Sequence, residues 1–354
     1  MATLSLDDRS DDIAQASARW LWRSQQVLRC GMVAALAALA CVAMSAPVRA
    51  ASDTPADPLQ LLARIQEAAR QLDYSGVFVY SQGGFTQSSQ VVHMVDGTGS
   101  RERLEVLDGE PLEFIRHNDE VRCLMPQRKK VLLERRRTDR FPGLLLGDPS
   151  GLSQNYRVTA VPGTRRVAGR ACHLVMIEPL DGRRYGYKLC ADADTGLLLK
   201  AQTLAADRSV IEQVMFSSVK VGEGIVAESL RPSWSTQDWT VVRSAMTPVD
   251  LAGKGWRVPP PPGFVPVMQV ERVMGDPLKV SQIVFSDGLA AISVFIEPYS
   301  TRGSVQKKQG PAKHGAVNVF GTRIADFWLT AMGEVPVSTL QELAESTEYV
   351  PLPD

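Results

Sequence analysis

Several residue types that often carry chemistry are scarce in this chain of 354 residues. It contains five cysteines and four histidines, and aromatic residues make up 6% of the sequence. So few cysteines exclude a disulfide-rich scaffold at this length. Neither sign of charge is in excess, because 39 Lys and Arg balance 39 Asp and Glu. This balance argues against a dedicated nucleic-acid-binding protein, which usually carries a strongly basic domain.

Enzyme motifs are also missing from the sequence. It contains no HExxH or paired CxxC motif for zinc, no GxSxG nucleophile elbow and no GxxxxGK[ST] phosphate loop. Catalytic groups can still come together from distant positions. We therefore expect a protein that is not an enzyme and needs no cofactor or metal. An exported hydrolase with a non-local site remains the least favoured alternative.

A long apolar run lies near the amino terminus, at residues 31–46, with the sequence GMVAALAALACVAMSA. It follows Arg19, Arg23 and Arg29 and ends in small residues. A basic region, a short apolar run and a small-residue exit are typical of a secretory signal peptide. We therefore predict that residues 1–50 are a signal peptide and that the protein is exported. A retained membrane anchor is the alternative, although a membrane span needs ~20 residues. The long region before the run leaves the translation start open.

The rest of the chain predicts two β-rich domains. Asp57-Pro58 is a favourable helix start, and apolar residues then recur at helical spacing. From Ser75 the apolar period changes to two, with turn pairs such as Asp96-Gly97 between the runs, which predicts an antiparallel meander. Turn formers and prolines then lead to the stretch VPPPPGF, typical of a stiff spacer, before a second strand series and a short helix. The predicted fold class is α+β, mostly antiparallel β, with a first domain at 51–221, a linker at 222–245 and a small domain at 246–354.

The cysteine pair Cys172 and Cys190 lies either side of Asp181-Gly182, a turn pair. A three-residue loop at Leu180–Gly182 would place Cys172 opposite Cys190 and Ile177 opposite Tyr185, within reach of a disulfide. A two-residue turn would shift the register by one and separate the sulfurs. Both registers remain open from the residues alone. A third cysteine, Cys123, shares a strand face with apolar residues, so a buried thiol is favoured over a nucleophile.

A basic run occupies residues 127–140 and includes Arg135, Arg136 and Arg137. These arginines are candidates for binding lipid phosphate or an acidic peptide, although a solvated face beside a sheet is the favoured interpretation. The apolar face of the first sheet also has two interpretations. It is either core beneath the first helix, which is favoured because most apolar faces are core, or a groove for an acyl chain.

Several segments, in their order and spacing, resemble the MucB/RseB family. The similarity extends from about residue 57 to 347. The segments are YSGVFVY (74–80), SRERLEVLDGE (100–110), VAGRACHLVMIEP (167–179), RRYGYKLCADADTGLLLKAQTL (183–204), PPGF (261–264), DGLAAISVFIEP (287–298) and FWLTAMGEVP (327–336). None of them is a catalytic motif, so the resemblance rests on their sum.

The resemblance implies a periplasmic negative regulator of an envelope-stress sigma factor. In this family the large N-terminal domain is a LolA/LolB-like half-open barrel with helices, joined to a smaller α+β domain. The protein binds the periplasmic segment of a membrane-bound anti-sigma factor, RseA or MucA, and shields it from site-one proteolysis. Lipopolysaccharide or mislocalised lipoprotein acyl chains release it. A periplasmic lipoprotein or lipid carrier of the LolA type is the alternative, and a homodimer is left open. The Cys172/Cys190 pair is not carried over from the family.

The resemblance also implies that the anti-sigma contact lies on the small domain and the inter-domain cleft. At the matching positions Trp256, Phe264, Phe295 and Tyr299 are candidate contact residues, because exposed aromatic side chains often anchor interfaces. A core position is the alternative for two of them. It is favoured for Phe295, which lies inside a strand, and left open for Phe264.

Overall fold

A computed structural model describes residues 57–135, 141–142, 149–222, 224–243, 246–273, 279–299 and 309–351. The predicted signal peptide lies outside this part of the chain. Within it, two α-helices accompany strands that form two large sheets and one small one, and neither helix is long and apolar enough to cross a membrane. The helices are α1 (Pro58–Gln71) and α2 (Val337–Glu345).

The strands are numbered in chain order. The first twelve are β1 (Tyr74–Gln82), β2 (Phe85–Asp96), β3 (Gly99–Val106), β4 (Glu113–His117), β5 (Glu120–Met125), β6 (Lys130–Arg135), β7 (Tyr156–Val167), β8 (Arg170–Pro179), β9 (Gly186–Asp192), β10 (Leu198–Leu204), β11 (Val210–Val221) and β12 (Thr240–Arg243). The others are β13 (Met246–Pro248), β14 (Trp256–Arg257), β15 (Val265–Val273), β16 (Lys279–Ser286), β17 (Ala291–Pro298), β18 (Gly310–His314), β19 (Val317–Ile324), β20 (Phe327–Gly333) and β21 (Glu348–Tyr349).

Helix α1 begins where the sequence predicts it. The side chain of Asp57 accepts a hydrogen bond from the backbone N–H of Leu59 at 3.0 Å, and Pro58 occupies the first turn, where its missing N–H costs nothing. The buried face of the helix carries Leu61, Leu62, Ile65 and Ala68. This face packs against the first sheet and closes its core.

Among the described residues, the first sheet has twelve strands, in the order β12-β6-β5-β4-β3-β2-β1-β11-β10-β9-β8-β7. Its pairs are antiparallel except β12 with β6, which is parallel. The order is linear, so among the described strands the sheet stays open. The predicted fold class, mostly antiparallel β with few helices, is confirmed. The pairing of β1 with β11 joins the two ends of a long meander, so that α1 can cover both halves from one face.

In the part of the chain that the structure describes, the second sheet has seven strands, in the order β13-β15-β16-β17-β20-β19-β18. Helix α2 packs on one face against β19 and β20, and the small β14-β21 ladder lies beside the same core. Alternate residues of β17 enter this core, as the period of two requires. The core therefore contains Ile292, Val294 and Ile296, with Leu340 and Leu343 of α2 above them.

The hairpin of β8 and β9 differs from the predicted register. Ile177 lies opposite Tyr187 instead of Tyr185, and Cys172 lies opposite Asp192. The two sulfurs therefore meet diagonally across the ladder, in a disulfide with an S–S distance of 2.03 Å and a Cα–Cα distance of 5.4 Å. Both short-turn registers are wrong because β8 ends at Pro179 and β9 begins only at Gly186. The intervening residues 180–185, the clamp loop, leave the ladder to bind the second sheet.

The segment predicted as a linker lies against the first sheet along much of its length. Leu230 is buried, and the backbone N–H of Ser233 donates to both carboxylate oxygens of Glu113, at 3.2 and 3.1 Å. The chain then forms β12 at the sheet edge. Residues 226–243 are called the strap below. Glu113 is itself buried and paired with Arg103, so the strap closes over a buried ion pair.

The strap lies on the face opposite α1. Phe114 is on the α1 side, because it lies across from Leu104, and Leu104 lies across from Val91, which packs in the same core cluster as Ala68 of α1. Glu113 is the neighbour of Phe114 in β4, so its side chain points the other way. The first sheet is therefore covered on both faces, by a helix on one and by the strap on the other.

Candidate functional site

The clamp loop sends three consecutive side chains from the first sheet to the second. Arg183 forms a double hydrogen bond with Glu342 of α2, at 3.1 and 3.0 Å. Arg184 donates from Nε to Asp287, in the turn between β16 and β17, at 2.6 Å. The hydroxyl of Tyr185 accepts from Asn318 of β19 at 2.8 Å. Each residue thus binds a different element of the second domain, and polar side chains specify the junction.

Arg184 is the centre of this junction, and its side chain is fully buried. Its Nη1 pairs with Asp181 at 2.5 Å, and its Nη2 donates to the carbonyl oxygen of Pro262 at 2.7 Å. The guanidinium also lies 4.7 Å from the ring centroid of Phe264, a cation–π contact. Burial alone would lower the pKa of Arg184, but its hydrogen bonds to Asp287 and Asp181 outweigh burial and raise the pKa. The group is therefore a buried permanent cation.

Asp287, which belongs to the second domain, is the carboxylate that pairs with this cation. Its Oδ2 also accepts a hydrogen bond from the hydroxyl of Tyr156 at 2.9 Å. Its Oδ1 caps the turn by accepting from the N–H groups of Leu289 and Ala290, at 3.0 and 2.8 Å. Burial raises the pKa of Tyr156, so that its phenol stays protonated and remains a donor. Both oxygens of the carboxylate are thus occupied.

Gly263 allows the proline-rich segment to approach this cluster. Its φ is +79°, and a Cβ at this position would collide with the side chains of Asn155 and Arg184. The stretch VPPPPGF, predicted as a spacer, therefore lies at the junction and brings Pro262 and Phe264 to the guanidinium.

Two of the four aromatic contact candidates are buried. The expected exposure is wrong for Trp256, and for Phe264 the structure shows the core position that the sequence had left open. Trp256 is 6% exposed and packs against Phe327 and Tyr349, with ring centroids 5.1 and 4.8 Å away. Phe264 is 3% exposed and lies beside Arg184. The small β14-β21 ladder and the junction enclose these rings, and neither contact could be foreseen from the local sequence.

The other two candidates are half-buried on the face of the second sheet that points away from its core. Phe295 alternates with the core residues Val294 and Ile296, so the favoured core position for Phe295 is wrong. Tyr299 stacks on Trp328 with a centroid distance of 6.1 Å, and the guanidinium of Arg323 lies 4.4 Å from its ring. Phe295 and Tyr299 are therefore accessible in part, as a contact surface requires.

The lipid-phosphate candidates fall at and beyond the end of β6. Arg135 is the last residue of that strand, and its side chain is outside the described part of the structure, as are Arg136 and Arg137. Their role stays a prediction. Among the described residues, no group of three His, Cys, Asp or Glu side chains is placed to hold a metal ion.

An apolar row crosses the α1 side of the first sheet, starting at Leu104, which packs against the core beneath the helix. The register places Leu104, Phe114, Cys123 and Leu132 side by side on β3 to β6. All four are half-buried, whereas Val91, next in the row towards α1, is fully buried. Cys123 is thus less buried than predicted. The row continues the core face into a surface that is open in part.

Both halves of the chain match models of known protein domains. The model of the MucB/RseB N-terminal domain matches residues 57–234, and the model of the MucB/RseB C-terminal domain matches residues 250–348. The chain belongs to the MucB/RseB family. It is 31% identical over 301 residues to the sigma factor AlgU regulatory protein MucB of Pseudomonas aeruginosa, which covers 82% of this chain and 90% of that protein. It is 24% identical over 309 residues to the sigma-E factor regulatory protein RseB of Escherichia coli K12, which covers 84% of this chain and 92% of that protein.

Solved structures agree with this assignment. A crystal structure of MucB in complex with MucA(peri) matches with a TM-score of 0.65 and 29% identity, covering 84% of this chain and 100% of that chain. A crystal structure of MucB matches with a TM-score of 0.60 and 28% identity, covering 84% of this chain and 99% of that chain. The likeness to MucB therefore includes both domains.

Three of the motifs that resemble the MucB/RseB family meet at the junction. Arg184 lies in RRYGY, Phe264 in PPGF, and Asp287 opens DGLAAISVFIEP. Of these residues, Phe264 is among the contact candidates predicted from the sequence, whereas Arg184, Asp287 and Tyr156 are not. The only signal was that charged residues stood inside these motifs without a catalytic or metal-binding pattern to explain them.

Proposed function

We propose that this protein is a negative regulator of sigma factor signalling that binds the periplasmic segment of a membrane-bound anti-sigma factor and shields it from site-one proteolysis. The observation that carries the proposal is the likeness to MucB in complex with MucA(peri) across both domains. The curated relatives are named as sigma factor regulatory proteins, which supports the same role.

The half-exposed aromatic residues of the second domain support a contact surface there. Phe295 and Tyr299 lie on the face of the second sheet opposite α2. Trp328 and Arg323 lie beside Tyr299 on this face. Aromatic and arginine side chains are the residue types that most often dominate binding energy at protein interfaces. A partner segment would bury these rings further.

The predicted leader and the disulfide support a periplasmic location. Residues 1–50 carry the pattern of a signal peptide. The bond between Cys172 and Cys190 is buried in the first domain, and such bonds persist in oxidising compartments. An anti-sigma segment outside the cytoplasm would be accessible to a protein located there.

The apolar row of the first sheet favours a second candidate function, that of a lipid or lipoprotein carrier. Half-buried Leu104, Phe114, Cys123 and Leu132 offer a strip on which an acyl chain could lie. The same strip serves the regulator, because lipopolysaccharide or lipoprotein acyl chains would bind there as the releasing signal. A carrier, however, leaves the second domain without a role.

The test is a titration of the purified mature chain with the periplasmic segment of the anti-sigma factor from the same organism. Calorimetry is expected to detect binding, and site-one protease is expected to cut the bound segment more slowly than the free one. Replacing Phe295 and Tyr299 together by Ala should weaken binding by about thirtyfold or more, since interface anchors contribute over ~1 kcal/mol each and ~1.4 kcal/mol corresponds to tenfold. Val241→Ala, an exposed position on β12, is the matched control and should bind as the unmodified protein does.

The two functions separate in a second pair of measurements. Leu104→Ser with Phe114→Ser should reduce binding of a fluorescent acyl chain and spare anti-sigma binding, whereas the Phe295 and Tyr299 variant should do the reverse. Acyl-chain binding by a protein that leaves the anti-sigma segment unbound and unprotected would favour the carrier and contradict the regulator.

A further inference from the structure

Two ion pairs join the first domain to the second through adjacent arginines, and they differ in burial. The side chains of Arg183 and Glu342 are 36% and 49% exposed. Those of Arg184 and Asp287 are both 0% exposed. An exposed pair contributes little and is screened by salt. A buried pair has lost its hydration, so removing one partner is costly even where the pair itself adds little net stability.

The partners of the buried pair come from both domains and bind all three nitrogens of the guanidinium. Asp181 comes from the clamp loop, whereas Asp287 and the carbonyl of Pro262 come from the second domain. Tyr156, in β7 of the first sheet, donates to the same carboxylate oxygen that Arg184 contacts. Arginine presents its donors in a rigid planar fork, so these bonds can form together in one arrangement only.

The junction also has an apolar component beside this charge cluster. Leu289, in the turn that Asp287 begins, packs against the core beneath α1, and Leu152 lies next to Gly288. If the domains separated, water would hydrate Asp287, and Arg184 would keep Asp181 as its counter-ion. Separation would therefore return much of the hydration that closure removes, and the ion pair would set orientation more than it adds adhesion.

We propose that Arg184 is the orientation-setting residue of a separable joint between the two domains. Asp181 of the first domain holds the guanidinium of Arg184 in place. The guanidinium can therefore bind the second domain only in the orientation in which Asp287 and the carbonyl of Pro262 both reach it. The consequence for signalling rests on the proposed function. If acyl chains bind the first domain and the anti-sigma factor binds the second, this joint is the contact through which one ligand could change the affinity for the other.

The experiment measures the distance between two spin labels on the full mature chain by pulsed electron paramagnetic resonance. Labels at the exposed positions Asp119 and Glu345 report on the first and second domains, in a Cys123→Ser background that leaves the disulfide intact. The unmodified joint should give one narrow distance distribution. The distribution should not change between about 0.05 and about 1 M salt, because the buried pair is hardly screened.

Asp287→Asn is the decisive variant. It removes the charge opposite Arg184 but keeps an oxygen that can cap the turn at Leu289 and Ala290. The distribution is expected to become at least twice as broad. Arg183→Gln, which removes the exposed ion pair at the neighbouring position, is the matched control and should leave the distribution narrow.

Arg184→Lys keeps the charge and loses the fork, so it should broaden the distribution in the same way and provides a second test if Asp287→Asn fails to fold. A broad distribution in the unmodified protein, a narrow one in a folded Asp287→Asn or Arg184→Lys variant, or equal broadening in Arg183→Gln would each overturn the proposal. These measurements involve no anti-sigma factor. Failure of the unmodified protein to bind that partner would contradict the proposed function but would not contradict the proposed role of Arg184.

Discussion

At the scale of single residues, the ionisation of Asp192 makes the stability of the fold depend on pH. It accepts hydrogen bonds from Arg170 at 2.5 and 3.0 Å, and from the N–H and the hydroxyl of Thr195, both at 2.9 Å. Burial alone would raise the pKa of Asp192, but the bonds from Arg170 and Thr195 outweigh burial and hold the pKa below its ordinary value. The aspartate therefore closes the turn between β9 and β10 in its ionised form.

A carboxylate with a lowered pKa stabilises the folded state at pH values above its unfolded pKa, near 4. This stabilisation is lost as the pH falls through the lower folded value. We expect the free energy of unfolding, measured in urea from about pH 6 to about pH 2, to fall less steeply with acid in Asp192→Asn. Asp194→Asn, at a side chain that is 88% exposed, should keep the original slope. Equal slopes in all three proteins would contradict the assignment.

The disulfide is a second test at this scale. Both cysteines are buried in the core under α1, and their bond closes a short loop. Replacing Cys172 and Cys190 together by Ser should lower the free energy of unfolding by about 3 kcal/mol in the chain-entropy model. Chemical denaturation of the variant measures this. Cys123→Ser should have a much smaller effect, and a comparable loss there would indicate that packing, rather than the bond, is responsible.

At the scale of elements, the strap is the segment in which the structure differs most from the prediction made from the sequence. Composition predicted a spacer, yet its backbone at Ser233 is bound to the buried carboxylate of Glu113, and its end forms β12. A spacer and a docked strap share the same residue types, because turn formers and prolines suit any irregular backbone. The difference is made by Glu113, which is over a hundred residues away in sequence.

Glu113→Gln should therefore release the strap. Hydrogen bonds to charged groups contribute roughly 1.5–3 kcal/mol, so we expect amide exchange in residues 227–243 to accelerate by at least tenfold. Mass spectrometry of the exchanged peptides measures the change. Glu120→Gln is the matched control, because its ion pair with Arg122 is more than half exposed. Unchanged exchange in the Glu113 variant would show that β12 and Leu230 hold the strap without it.

At the scale of the whole molecule, the two domains offer different surfaces, an apolar row on the first and half-exposed aromatic rings on the second. If both are used as proposed, the two ligands are thermodynamically linked. A lipid that lowers the affinity for the anti-sigma segment by a given factor must bind more weakly, by the same factor, to the complex. Titrating lipopolysaccharide into the free protein and into the saturated complex measures the change in lipid affinity, and titrating the anti-sigma segment with and without lipopolysaccharide measures the change in partner affinity. An equal affinity for lipopolysaccharide in the free protein and in the complex would contradict the coupled mechanism.

Much of the fold could be predicted from the chain because the signals are local. The N-cap at Asp57, the helical period after it and the alternation along the strands each depend on residues a few positions apart. The alternation along β17 predicted a strand with one buried face, but that face was assigned to Phe295, whereas the structure gives it to Val294 and Ile296. Local patterns show that a helix or strand has an apolar face, but they do not show which other element packs against that face.

The sequence by itself determined the helix start, the alternating strands, the open antiparallel class and membership of the MucB/RseB family, since each follows from neighbouring residues or from motifs in order. Tertiary structure alone decided the register of the β8–β9 hairpin, the burial of Trp256 and Phe264 and the docking of the strap. The physical reason is clearest at Arg184. Its preferred local structure was a strand in a tight hairpin, but the partner that satisfies its buried charge, Asp287, is 103 residues away. Such a contact leaves no pattern in the residues around either partner.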